Sequence, residues 1–380
     1  MKFFLAFLQS RIQHPVPAYD FWGYYIKNGI KEAGHDWTES ADTDWALGLV
    51  PQSQTDHAKW KHDTWQRTVD YLKKNPVDVF LSYLSPRQID TSAIQQIKNL
   101  GIPCVNFYCD NIREFKRIPE EFGVFDLNWV PEYAAQAIYK KAGYAFIHLP
   151  MPMWVEPGLR HLPADKYPQI TFIGSKDVQR QMLLNEIVIA EPELPLIIYG
   201  NGWQQETYTL PGASSGTGKI VNQLRFINEH GLTAYIRKLA QSSHGPALST
   251  LLHQRIGEKP SFHQYTALTA QSTITMGINR YPSYHYPFNS PNKYSRLRDI
   301  EAPMLGACYL TEWTPGIEDM YDTDTEINTY KTAAEFIERS GRLLADKHKR
   351  EGLRANGQKR ALSAHTIPAS LNKIKCTLGL

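Results

Sequence analysis

The strongest constraint on this chain is an alternation repeated through its first half, in which a short apolar run is followed by a segment of helical apolar spacing. Residues 3–8 form an apolar run. A turn-rich stretch leads from there to residues 19–33, whose spacing suits a helix ended by Gly34. Residues 45–50 repeat the strand signal and 59–74 the helix signal; 78–83, 91–99 and 103–109 continue strand, helix, strand. Such alternation predicts a mostly parallel, doubly wound sheet, with ligands at the carboxyl ends of its strands. A further strand at 125–130 and a helix at 133–142 precede a proline-dense segment, 147–157, that reads as a linker between two domains.

The length allows that division. At 380 residues, 42% hydrophobic and 21% charged, the chain can form two domains that each bury a core. A net charge of +3 neither requires nor excludes a nucleic-acid partner. The four cysteines, at 104, 109, 308 and 376, form no CxxC pair, which predicts a reducing compartment and no structural metal. The apolar start, 1–9, breaks at Gln9-Ser10-Arg11 without a small-residue cleavage site and reads as a first strand. No run approaches the roughly 20 apolar residues that span a membrane. The expected location is the cytoplasm, with peripheral contact at the inner membrane face as the alternative.

Two strand tips of the first half carry reactive side chains. His14 follows the first strand, between Gln13 and Pro15, and Asp110 follows the strand at 103–109. Either, facing a cleft, can take a proton from an acceptor hydroxyl; the plainer readings are a solvent-exposed ring for His14 and a helix cap for Asp110.

In the second half, residues 169–176 read as a strand entering a Gly174-Ser175 turn, with Lys176 and Arg180 beyond it. Backbone N–H groups at such a turn suit a diphosphate. Residues 196–203 are the next strand and turn, and 272–280 a strand ending near Asn279; the aromatic loop 281–288 then leads to Ser290, Asn292 and Lys293. That loop suits a donor sugar or ordinary packing equally well. Arg298 and Glu301 stand at i,i+3 at the start of a short helix, so they share a face. A guanidinium there can meet phosphate oxygens while the carboxylate accepts from ribose hydroxyls; an exposed ion pair is the plain alternative. Gly216-Thr-Gly-Lys219 lacks P-loop spacing and a preceding apolar strand, so it reads as a loop, while 224–241 has helical spacing.

The series Arg298-x-x-Glu301-Ala302-Pro303-x-x-Gly306-Ala307-x-x-Leu310-Thr311, followed by Glu318, Tyr330, Glu335 and His365-Thr366, resembles the C-terminal half of glycosyltransferases grouped with the spore-maturation CgeB proteins. The ordered matches run over about residues 170–370, interrupted by an insertion at about 204–259. The resemblance implies a GT-B fold of the α/β class: two Rossmann-like domains facing across a cleft. It implies an acceptor domain at 1–155, a donor domain at 156–360 and a final segment, 361–380, returning to the first domain with a kink at Pro368. It also implies a nucleotide-sugar donor, a UDP- or GDP-sugar, held by Gly174, Ser175, Arg180, Tyr199, Asn279, Lys293, Arg298 and Glu301, without a metal.

A second similarity touches Asp110. Its segment, Tyr108-Cys109-Asp110-Asn111-Ile112-Arg113, resembles the strand end of the phage DNA β-glucosyltransferase, whose corresponding aspartate is the general base; Arg113 is displaced by one position. Transfer to an acceptor hydroxyl on a glycan, lipid-linked glycan, protein or modified nucleic acid is the function these similarities imply. A sugar-nucleotide epimerase, a DNA-modifying transferase and a non-catalytic coat protein on the same frame are the rival readings.

Overall fold

The computed structural model describes residues 1–14, 19–204, 248–282 and 291–380. The loop 216–219, the segment 224–241 and most of the aromatic loop, including Ser290, lie outside the described residues.

Two parallel sheets carry the chain. The first holds β1 (Lys2–Ala6), β2 (Asp36–Thr38), β3 (Val79–Ser82), β4 (Cys104–Phe107), β5 (Leu127–Val130) and β6 (Phe146–His148), in the order β2-β1-β3-β4-β5-β6. The second holds β7 (Tyr167–Ile173), β8 (Leu196–Tyr199), β9 (Ser272–Gly277), β10 (Tyr309–Glu312) and β11 (Asn328–Tyr330), in the order β11-β10-β9-β7-β8. Every pairing within both sheets is parallel, as in Phe3 beside Val79 and Ile170 beside Ile274. This is the expected α/β architecture of two Rossmann-like units.

The strand order places the ligand crevice. In each sheet the order reverses once, beside β1 and β3 in the first and beside β7 and β9 in the second, and ligands gather outside the carboxyl ends at such points. Leu8, just past β1, has a left-handed backbone (φ 60°), a conformation a leucine holds only under tertiary constraint.

The first sheet's core follows from its near-continuous apolar strands. Phe3, Leu5, Phe107, Trp129 and Ile26 are buried on one face; Phe4, Phe80, Trp65 and Val69 are buried on the other. The first of these cores continues through Met151 and Met153 to Ile300, Met304 and Tyr309 of the second half. The last helix, Ile367–Leu378, packs on Tyr19–Glu32, where a Cβ on Gly29 would lie 2.5 Å from Ile367. Thr366 caps that helix and Pro368 sits in its first turn, so the proline begins a new helix instead of kinking the preceding one, Lys347–Ala364.

One expected strand is not a strand. Residues 45–50 form a 3₁₀ turn, Ala46–Leu49, and the short β2 takes the edge position instead. Asp44 starts the turn by accepting from the Leu47 N–H at 2.9 Å, and Trp45 is fully buried edge-on to Trp65. The apolar run satisfies burial without pairing, which periodicity cannot distinguish from a buried strand.

Candidate functional site

A groove of about 1500 Å³ lies between the two sheets' carboxyl ends. Its second-half wall begins where β7 runs into Gly174-Ser175. Gly174 donates its N–H to the Tyr199 carbonyl at 2.9 Å and accepts from Trp203 Nε1 at 2.7 Å. The turn needs glycine twice over. A Cβ on Gly174 would meet the Phe172 ring at 2.8 Å. One on Gly200, whose φ is +131°, would stand 2.3 Å from the Gly174 carbonyl oxygen.

The helix after this turn, Val178–Ala190, does not offer all its first N–H groups outward. Asp177 caps it, accepting from Gln179 N at 2.9 Å and Arg180 N at 3.1 Å. Burial raises the Asp177 carboxyl above its ordinary range, opposed by Arg180. Arg180 donates to the Ser175 carbonyl at 2.7 Å, and its Nε lies 3.2 Å from Asp177. Gly174, Ser175 and Arg180 all line the groove. Positive charge at this turn therefore comes from side chains more than from the helix start.

Arg298 and Glu301 line the groove together, one turn apart on Arg298–Met304. Arg298 reaches back to β7, donating to the Ile173 carbonyl at 3.2 Å and to Thr269 Oγ1 at 3.3 Å. Its guanidinium lies 4.9 Å from the centroid of Tyr265, whose hydroxyl donates to Glu301. Tyr25 of the first half also lines this end; burial and then the Glu301 charge push its phenol up. Arg296, which spacing did not single out, adds another cation to the wall. It donates to the Arg280 carbonyl at 2.8 Å and lies 4.6 Å from the Tyr294 centroid.

Three expected donor residues are not on the groove wall. Asn279 is buried, donating to Asp299 Oδ2 and to the Glu312 carbonyl, each at 2.9 Å. Lys293 is 2.9 Å from Glu312, which also takes Arg280. Burial alone would raise the Glu312 carboxyl, but these cations hold it below its ordinary range. Tyr199 accepts from Gln169 Nε2 at 3.1 Å and packs its ring against Gly257. These three brace the wall from behind.

Across the groove stands Asp110. It begins the short helix Asn111–Glu114 but its side chain makes no cap hydrogen bond, contrary to the plain reading. Its Oδ1 is 3.9 Å from Arg113, and both line the groove. Burial raises the Asp110 carboxyl, with Arg113 and Arg296 pulling the other way. His14 is placed elsewhere: its Nε2 lies 2.8 Å from Asp44 Oδ2, its side chain is nearly buried, and it is not on the groove wall. The hydrophobic part of this wall is aromatic, with Phe21, Trp22, Tyr83 and Tyr108.

Among the described residues, no group of three or more His, Cys, Asp or Glu is gathered as a metal site. No described helix is long and apolar enough to cross a membrane.

Residues 179–375 match the family model described as glycosyl transferase-like. No curated protein matches the sequence. Solved structures match over nearly the full chain. A glycosyltransferase from Rickettsia africae is 10% identical over 99% of this chain and 98% of that one, with a TM-score of 0.59. Anabaena HepE, solved with UDP and glucose, is 12% identical over 100% and 99%, with a TM-score of 0.54. The DNA-modifying enzyme β-glucosyltransferase is 14% identical over 100% of both chains, with a TM-score of 0.51. At these identities the likeness is one of fold, the GT-B arrangement of two facing units.

Proposed function

The chain belongs to the glycosyl transferase-like family, and on that premise we propose that it moves a sugar from a nucleoside-diphosphate donor to an acceptor hydroxyl bound by its first half. The observation that carries this reading is the placement of Arg298 and Glu301 on the groove wall beside Gly174-Ser175, with Asp110 across from them. Glu301 accepts from the ribose hydroxyls. Arg298, Arg180 and Arg296 surround the diphosphate, whose charge grows as its bond to the anomeric carbon breaks.

The acceptor oxygen attacks that carbon while Asp110 takes its proton, so the sugar leaves on the acceptor and the nucleoside diphosphate is released. Asp110 suits the task because burial makes its ionised carboxylate a stronger proton acceptor while leaving it on the groove wall. We assign neutralisation of the leaving group to guanidinium side chains and so propose transfer without a metal ion. A UDP- or GDP-sugar donor fits this frame, and the Anabaena structure that the fold resembles was solved with UDP and glucose. The finer CgeB-like assignment, a role in polysaccharide or glycoconjugate synthesis, and the division into 1–155, 156–360 and 361–380 belong to the same proposal.

A DNA acceptor has less support. The first-half wall sets Arg87 and Arg113 against Asp110, Glu114 and Glu121, which is no channel for a phosphate backbone. The test is calorimetry with UDP, GDP and the free nucleosides, followed by donor turnover with and without acceptor sugars and with chelator. Saturable binding of one diphosphate, lost with the free nucleoside, is expected. Absence of binding by either diphosphate would sink the reading, turnover of the donor by the protein alone would favour an epimerase, and activity lost to chelator would remove metal-independent transfer.

A further inference from the structure

Glu132 is a carboxylate that neither wall of the groove displays. It lies two residues past β5, only 1% exposed. One oxygen, Oε2, accepts from the Asn111 N–H at 2.6 Å and the Ile112 N–H at 3.3 Å. The other, Oε1, accepts from the Tyr281 hydroxyl at 2.6 Å, across 149 residues of sequence and from the opposite half.

The two amides belong to the turn that Asp110 begins. Because Glu132 satisfies the start of Asn111–Glu114 from just past the neighbouring strand, the Asp110 side chain is not needed as the cap. Asn111 is held from other sides as well, accepting from the Tyr139 hydroxyl at 3.1 Å and donating to the Tyr108 carbonyl at 2.8 Å. On the donor side, Tyr281 stacks on Tyr294 with centroids 4.1 Å apart, and Tyr294 lies under the Arg296 guanidinium. A continuous series of contacts thus runs from the Asp110 turn through Glu132, Tyr281 and Tyr294 to Arg296, with both ends on the groove wall.

We propose that Glu132 is a positioning residue: through one carboxylate it sets the turn that carries Asp110 and ties that turn to Tyr281 of the donor half. The proposal rests on the reading of Asp110 as the base. Two amide donors alone do not call for a charged group, and a buried carboxylate is costly unless several donors meet it. Here two N–H groups and a hydroxyl do, and the hydroxyl comes from the half that holds the nucleotide.

The same geometry makes the tie responsive to pH. Burial pushes the Glu132 carboxyl up to about 7; the bonds from Tyr281 and Asn111 pull it down, and the Asp110 charge pushes it further up. Tyr139 and Cys109 are the other titratable groups that feel this charge, and both are held protonated by burial. When Glu132 takes a proton, one oxygen becomes a donor and at least one of its three partners loses its acceptor.

The experiment compares Glu132→Gln, Tyr281→Phe, the double variant and Asp110→Asn in the full chain. Hydrogen–deuterium exchange at Asn111 and Ile112, corrected for chemical rate, needs no substrate. Tyr281→Phe, a change in the other half, is expected to raise exchange there about tenfold, the size of one lost hydrogen bond to a charged group. The double variant should exceed Glu132→Gln by no more than the scatter. In wild type, exchange should rise from pH 8 to pH 6, and in Glu132→Gln it should stay level. With UDP-glucose and the donor found by calorimetry, kcat of Tyr281→Phe should fall about tenfold with KM for donor unchanged, and in Glu132→Gln the acid limb should lose the contribution of Glu132 while keeping that of Asp110. Unchanged exchange in Tyr281→Phe overturns the tie, and unchanged kcat overturns the positioning role. If Asp110→Asn keeps full transfer, the parent reading falls instead, whatever Tyr281→Phe does. Should Glu132→Gln fail to fold, Tyr281→Phe still decides both points.

Discussion

Arg298 lays its guanidinium 4.9 Å from the ring centroid of Tyr265, and the same tyrosine's hydroxyl donates to Glu301, so one residue holds both members of the i,i+3 pair in place. Arg298→Ala is expected to weaken diphosphate binding by about 10- to 100-fold, the loss of charge-assisted hydrogen bonds worth roughly 1.5–3 kcal/mol. Tyr265→Phe keeps the ring under Arg298 but removes the bond to Glu301. It should weaken binding only about fivefold, on the order of 1 kcal/mol. Calorimetry with UDP and GDP measures both; equal losses in the two variants would mean that the Tyr265 hydroxyl's hold on Glu301, and not the guanidinium, carries the site.

Asp110→Asn should leave diphosphate affinity unchanged and lower kcat by about 10²- to 10⁴-fold, the usual contribution of a positioned base. The sign of the pH effect follows from burial. Asp110 holds its proton more tightly than an ordinary carboxyl, so wild-type kcat/KM should fall as pH drops, with its acid limb above the ordinary carboxylate range. Because the Asp110 charge acts on Glu132, that limb reports both groups together. A flat profile down to pH 4 removes the role.

Much of the fold was legible because parallel strands buried on both faces leave unbroken apolar runs, and helices leave a 3.6-residue period. Residues 45–50 misled for the same reason, since a buried turn around Trp45 looks like a strand. At the site, sequence located strand tips but not side-chain directions. Gly174, Ser175, Arg180, Asp110, Arg298 and Glu301 line the groove, whereas Asn279 turns inward because Asp299 and Glu312, distant in sequence, meet its amide. Lys293 is drawn to the same Glu312, and His14 to Asp44. Glu132 carried no local signal, for Tyr281 meets it across 149 residues, and Arg296, though two residues from Tyr294, is held by the Arg280 carbonyl only in the folded chain.

The Gly174-Ser175 turn supplies a test of backbone geometry that leaves every charged side chain in place. Gly200→Ala puts a Cβ 2.3 Å from the Gly174 carbonyl oxygen, at a φ of +131° that alanine resists. Neither strain is relieved by rotating a side chain, because the opposing atom is backbone. The expected cost is on the order of 1–3 kcal/mol of stability, with weaker diphosphate binding. Gly101→Ala in the first half is the contrast, since its φ of +81° is also positive but among the described residues nothing lies within 4 Å of the added Cβ. Thermal melts with and without UDP compare them; if both variants lose the same ligand-induced rise in Tm, the Gly174 contact is not what shapes the turn.

His365 tests how the returning C-terminal segment is held. Its ring is buried at the end of Lys347–Ala364, donating through Nε2 to the Met320 carbonyl at 2.8 Å and standing edge-on to Tyr321. Burial lowers its pKa to about 4; the Met320 bond opposes this, and Arg360 and Lys373 add to it. In the unfolded chain an imidazole titrates near 6.5. Above that pH neither state binds the proton and the group contributes no slope. Between about 6.5 and about 4 the unfolded chain takes up a proton that the folded chain refuses, so stability falls as pH falls, by up to about 1.4 kcal/mol per unit. His365→Gln retains a donor for Met320 and removes the titration. Its Tm should therefore drop less than that of wild type between pH 7 and pH 5, while the other histidines, present in both, cancel from the difference. Parallel melting curves across that range would show that His365 takes up its proton in the folded protein and that burial does not keep it neutral.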